Sequence, residues 1–236
     1  MRTGFLQALP LAFGVAAYGF AFGAVAGTTA FDVGDVALMG ALVFAGSSQI
    51  VAVERLAAEA SLGAALLAAL ALNLRYLAIM ASIAPVVRTA PRLLQPLVAH
   101  MTADENWALT LSRRARGFKT DWRYLLGSGL AVMIAWVGAS AMGTIAASSV
   151  PDLDSYGVGF AFTAAFIALA RSMWSGASDL APWLGAATIT AAVLLTSGST
   201  TLAVLCGGTG GAVVGTLLAR PRPTSETTLD GRESTP

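Results

Sequence analysis

The stretch ASLGAALLAALALNLRYLAIMASIAPV, residues 60–86, decides the fold, and its one charge is Arg75. It is longer than the roughly 20 apolar residues that one helical crossing of a bilayer needs, so it reads as a membrane span. Arg75 then lies about eleven residues from the nearer end, roughly 16 Å at helical rise, further than an arginine stem comfortably snorkels. It must be paired or hydrated inside the protein. An ionisable side chain at that depth reads as part of a substrate, ion or coupling site, and the competing reading is a purely structural buried ion pair.

The rest of the chain supplies the membrane environment. Of 236 residues, 56% are hydrophobic and 11% charged, with a mean hydropathy of +0.71, far from the roughly 25% charged typical of soluble domains. Spans are expected near 5–28, 36–53, 60–86, 124–148, 157–174, 180–197 and 200–218. The first is too long for a signal-peptide core and is expected to be retained. The sequence thus predicts an all-α polytopic bundle over 1–219, with a disordered, cytoplasmic tail over 220–236. A net charge of +1 argues against nucleic-acid binding. One cysteine, Cys206, and one histidine, His100, leave no basis for a disulfide or a metal site.

An eighth candidate, 97–111, carries His100, Asp104, Glu105 and Asn106. It is able to cross only inside the bundle, or to dip in as a re-entrant segment. Arg113, Arg114, Arg116, Lys119 and Arg123 place the following loop in the cytoplasm by the positive-inside rule. From there the C-terminus is cytoplasmic, while the side of the N-terminus depends on whether 97–111 crosses. Charge counting penalises both models equally.

Two further patterns bear on architecture. Gly19, Gly23 and Gly27 fall at four-residue intervals in the first span, and Gly207, Gly211 and Gly215 do the same in the last. Small residues at this spacing let helix backbones approach in lipid, and contact within the chain is expected over a partner interface. Spans beginning near 5, 36 and 60 are echoed near 124, 157 and 180, a weak pointer to two repeated halves. The run Gly46-Ser47-Ser48-Gln49 interrupts the second span, where a helix is able to break and expose backbone groups to a cavity. Packing by hydrogen bonds between helices explains the same residues equally well.

Four blocks carry a resemblance to a known family. They are Ala8-Leu9-Pro10-Leu11-Ala12-Phe13-Gly14 with Phe20-Ala21-Phe22-Gly23, then Phe44-Ala45-Gly46-Ser47-Ser48-Gln49, Leu72-Asn73-Leu74-Arg75-Tyr76, and Thr102-Ala103-Asp104-Glu105-Asn106-Trp107-Ala108-Leu109. In order, spacing and polarity the chain resembles the AzlC family, the large subunit of two-component branched-chain amino-acid exporters. Tyr76 stands where a histidine is common in that family, and Asn106 where a small hydroxyl residue is usual. The resemblance implies a small AzlD-like membrane subunit as partner, export of leucine, isoleucine, valine or methionine across the plasma membrane, and no cofactor.

Joined to the residue-level reading, this gives a working expectation. Arg75, supported by Asn73, binds a substrate carboxylate, and Ser47, Ser48 and Gln49 complete a polar cradle. Asp104 or Glu105 releases Arg75 or carries a coupling proton. An ATP-driven permease subunit and an exporter of another small carboxylate are the rival transporters. The permease coupling motif is incomplete, since Glu59-Ala60-Ser61 has Ala65 where the required glycine would stand. An intramembrane enzyme is disfavoured because the chain has neither a His-Glu-x-x-His helix nor a Gly-x-Ser-x-Gly elbow. His100 and Asp104, at helical spacing, are read as a bundle contact or a proton relay.

Overall fold

The computed structural model describes residues 1–57, 61–149, 167, 171, 174 and 176–218, which belong to two compact bodies, 1–174 and 175–236. Among the described residues there are helices and no strands. The expected span 157–174, apart from 167, 171 and 174, and the tail 220–236 lie outside the described residues. The echo of the two halves therefore goes without its middle member.

The first body is built on two long helices, α1 (Arg2–Gly27) and α8 (Trp122–Ser149). At 26 and 28 residues each reaches roughly 40 Å, enough to cross about 30 Å of hydrocarbon. They meet along a seam where both partners offer glycine. A Cβ on Gly23 would collide with the Ser140 carbonyl, one on Gly27 would meet Thr144 and Ala147, and one on Gly19 would press on Trp136. From the other side, Gly143 lies against the Phe20 carbonyl. With the backbones this close, the Thr144 hydroxyl donates to the Gly23 carbonyl at 3.0 Å.

Residues 33–57, expected as one span from 36 to 53, form two short helices. These are α2 (Val33–Val43), started by an Asp32–Asp35 capping box, and α3 (Gly46–Ala57). At about 16 to 18 Å each, neither crosses alone. They part at Phe44, whose φ of 44° and ψ of 44° are left-handed without glycine's freedom, a conformation costing about 1–2 kcal/mol. Phe44 is held there by burial, at 4% exposure, in the cluster formed by Val15, Phe22, Val132 and Trp136.

Residues 62–87 make one run of crossing length, α4 (Leu62–Asn73) and α5 (Arg75–Val87), with a single irregular residue, Leu74, between them. Ser61 caps its start by accepting from the Ala64 amide. The polar segment 97–111 also divides, into α6 (Gln95–His100) and α7 (Asp104–Ala115). Asn106, fully buried, closes the gap between them. Its Oδ1 accepts from the Ala103 amide at 2.7 Å, and its Nδ2 donates to the carbonyls of Met101 at 2.9 Å and Leu125 at 3.2 Å.

The second body is a hairpin of α9 (Leu180–Ser197) and α10 (Thr200–Leu218), turning at Gly198 with φ 65°. Gly207 packs on Thr190, Gly211 on Ala186 and Pro182, and Gly215 on Pro182, so this glycine face also meets a helix of its own chain. Four helical runs among the described residues are long and apolar enough to cross a membrane: 2–27, 62–87, 122–147 and 177–197. The stretches 33–43 and 202–218 are apolar but shorter.

Candidate functional site

Three helix interruptions, at Phe44–Ala45, at Leu74 and at 101–103, bring residues to one cavity in the first body. It is lined by Tyr18 and Val15 from α1, Gly46 and Ser47 at the start of α3, and Arg75 and Tyr76 at the start of α5. Asp104 and Glu105 at the start of α7, and Val132 and Trp136 from α8, complete most of the wall. Its cavity volume is about 50 Å³, and it opens to the outside. The N-termini of α3 and α7 both open here, and unpaired amides at a helix start favour an anion.

Arg75 is the cation of the site. Its Nη2 lies 2.7 Å from Asp104 Oδ2 and donates to Ser47 Oγ at 2.7 Å, and its guanidinium stands 5.4 Å from the centre of the Tyr76 ring. The pair is partly open to the cavity, with side-chain exposures of 34% and 20%, so a ligand has access to it. Arg75 Nε has no hydrogen-bond partner among the described residues. Of the two acidic residues, Asp104 takes the arginine. Glu105 instead accepts from the Tyr18 hydroxyl at 3.0 Å.

Of the residues expected to form the polar cradle, Arg75 and Ser47 line the cavity, whereas Ser48, Gln49 and Asn73 do not. The Ser48 hydroxyl donates to the Ala45 carbonyl at 2.8 Å, which secures the first turn of α3. Gln49 turns into the protein and accepts from Trp136 Nε1 at 3.0 Å. Asn73 ends α4, and its Oδ1 is buried without a partner among the described residues. All three sit where the chain breaks, and two of them stabilise the break instead of facing the cavity.

His100 points away from Asp104. Its Nε2 donates to the Ala41 carbonyl at 2.8 Å, with its ring 6.3 Å from that of Phe44. It thus fastens the end of α6 to the end of α2, where helix carbonyls lose their own partners.

Sequence reading overlooked Tyr18 and Trp136. Their rings lie 5.0 Å apart, and Trp136 stacks on Phe22 at 5.2 Å. A tryptophan in mid-span, away from the interfacial belt where this residue concentrates, was the available signal. Gly46 owes its place to the same pair, because a Cβ there would stand 3.1 Å from the Trp136 ring and 3.2 Å from the Tyr18 hydroxyl.

The sequence model of a family described as AzlC protein matches residues 10–150, a segment containing every residue that lines the cavity. An uncharacterized membrane protein of Archaeoglobus fulgidus is 29% identical over 170 residues, 71% of this chain and 73% of the relative. No solved structure matches.

Proposed function

The chain belongs to the AzlC family, which points to a membrane transporter subunit, and on that premise we propose that it exports leucine, isoleucine, valine, methionine or similar neutral amino acids together with a small AzlD-like membrane subunit. The observation that carries the reading is the Arg75–Asp104 pair at 2.7 Å, facing a cavity between broken helices. A substrate carboxylate displaces Asp104 from Arg75 and takes Ser47 as a second donor. The apolar walls of Val15, Phe44, Val132 and Trp136 accept the side chain. Arg75 exchanges one carboxylate for another, and the displaced Asp104 takes the ammonium group of the zwitterionic substrate, so neither buried charge is left alone. The proton gradient drives the cycle, and the acidic pair carries the coupling.

The test is efflux of labelled leucine, methionine and valine from preloaded cells lacking their own exporters, with this chain alone or with its partner subunit. Efflux that requires both chains and collapses with the proton gradient supports the proposal. Efflux of none of the three, with other small carboxylates moving instead, transfers the clamp to another substrate. Dependence on ATP in vesicles would favour the permease reading.

A further inference from the structure

One cation faces two adjacent carboxylates in the cavity, and the geometry separates their roles. Arg75 is committed to Asp104 and Ser47. Glu105 borders the same space, has no salt-bridge partner among the described residues, and its side-chain partner is the Tyr18 hydroxyl. The titratable and charged groups facing it are Tyr18 on α1, Arg75 and Tyr76 on α5, and Asp104 beside it. From α3 and α8 the cavity receives Gly46, Ser47, Val132 and Trp136, none of which titrates. The start of α7 offers Glu105 a partial positive charge, not a counter-ion.

We infer that Glu105, not Asp104, takes up and releases the coupling proton, and that Tyr18 conveys its state to α1. The coupling rests on the exporter reading, whereas the protonation does not. When Glu105 is ionised, its Oε1 accepts the Tyr18 O–H. A proton arriving from one aqueous phase binds the carboxylate to give a neutral carboxylic acid and later leaves to the other phase, with no other bond made or broken. Protonation turns an acceptor-only group into one that also donates, so the Tyr18–Glu105 link changes strength with each proton. That link joins α1, locked to α8 by the glycine seam, to the first turn of α7, which Asn106 also ties to α8 through the Leu125 carbonyl. Tyr18 is a positioning residue here, since the proton resides on Glu105.

The direct test is infrared difference spectroscopy of the purified full chain in lipid nanodiscs, comparing acidic with alkaline buffer. A titrating carboxylic-acid carbonyl band is expected, absent in Glu105→Gln, retained in Asp104→Asn and shifted in frequency in Tyr18→Phe. Its survival in Glu105→Gln, or its loss in Asp104→Asn alone, overturns the assignment. If Glu105→Gln fails to fold, an unshifted band in Tyr18→Phe overturns it and a shifted one supports it.

A second measurement separates this inference from the exporter reading. Leucine exchange in proteoliposomes holding this chain with the small partner subunit should vary with pH in the wild type and be flat to within about twofold in Glu105→Gln, as expected when the titrating group is gone. Persistent pH dependence in Glu105→Gln contradicts the inference. A wild type that moves no leucine counts against the exporter reading, and the infrared result then decides Glu105.

Discussion

The α1–α8 seam and the broken segments α2–α3 and α6–α7 solve the same problem of packing in lipid in opposite ways. Along the seam, glycine lets two unbroken helices touch, and apart from the turn of α1 at Pro10, which has no N–H to donate, the ladder inside each helix continues. At the breaks, backbone groups lose their helical partners, and side chains meet several of them. Asn106 serves two of them, the Ala103 amide and the Met101 carbonyl, and His100 serves the Ala41 carbonyl. The seam therefore needs space and the breaks need polarity. The comparison teaches that the polar residues of such a chain are divided between holding a break open and facing the ligand.

That contrast can be broken most severely at Gly23. Gly23→Leu has no room against the Ser140 backbone and should cost about 3 kcal/mol or more by overpacking, read as a lost or sharply lowered unfolding transition in detergent. Asn106→Ala comes next, leaving the Ala103 amide and the Met101 carbonyl without this partner while the Leu125 carbonyl keeps the Ser128 hydroxyl, at about 2 kcal/mol. Restoration by Asn106→Asp of half the loss or more would show that the Ala103 amide is the dominant one.

Gly46→Ala should cost less, about 1 kcal/mol, because the added Cβ would stand 3.1 Å from the Trp136 ring and 3.2 Å from the Tyr18 hydroxyl, side-chain contacts instead of a backbone collision. Its effect should appear in transport before it appears in the amount of folded protein in the membrane. The smallest change sharpens the comparison within one helix. Gly14 lies on α1 as Gly23 does, but a Cβ there meets nothing within 4 Å. Gly14→Ala should raise stability by about 0.5 kcal/mol through the helical preference of alanine over glycine. A destabilised Gly14→Ala would mean that this face is not open.

Much of this was legible in the chain. The period of Gly19, Gly23 and Gly27 announces a close helix contact, and an arginine eleven residues inside an apolar span announces an internal partner. Sequence alone left Asp104 and Glu105 interchangeable, because neighbours on the first turn of a helix point in different directions that only the packing of α1 and α5 defines. The break in residues 33–57 was expected at the polar run 46–49 and occurs at Phe44, two residues earlier. Polarity marks the residues that follow a break, whereas the left-handed residue itself is apolar and is held by its burial. For the same reason Ser48 and Gln49 read as ligand groups, although their partners are Ala45 and Trp136.

The central claim is that Arg75 is the carboxylate-binding group of the transporter. The most direct measurement is efflux of labelled leucine with wild type, Arg75→Lys and Arg75→Ala, each co-expressed with the partner subunit and matched for the amount of protein in the membrane. Lysine keeps the charge but not the planar fork that grips two acceptors, so Arg75→Lys should lose at least about tenfold in rate, a deficit of about 1.4 kcal/mol, and Arg75→Ala should lose all detectable efflux. Wild-type efflux by Arg75→Lys at equal membrane levels would contradict the clamp and leave the Arg75–Asp104 pair as structure alone.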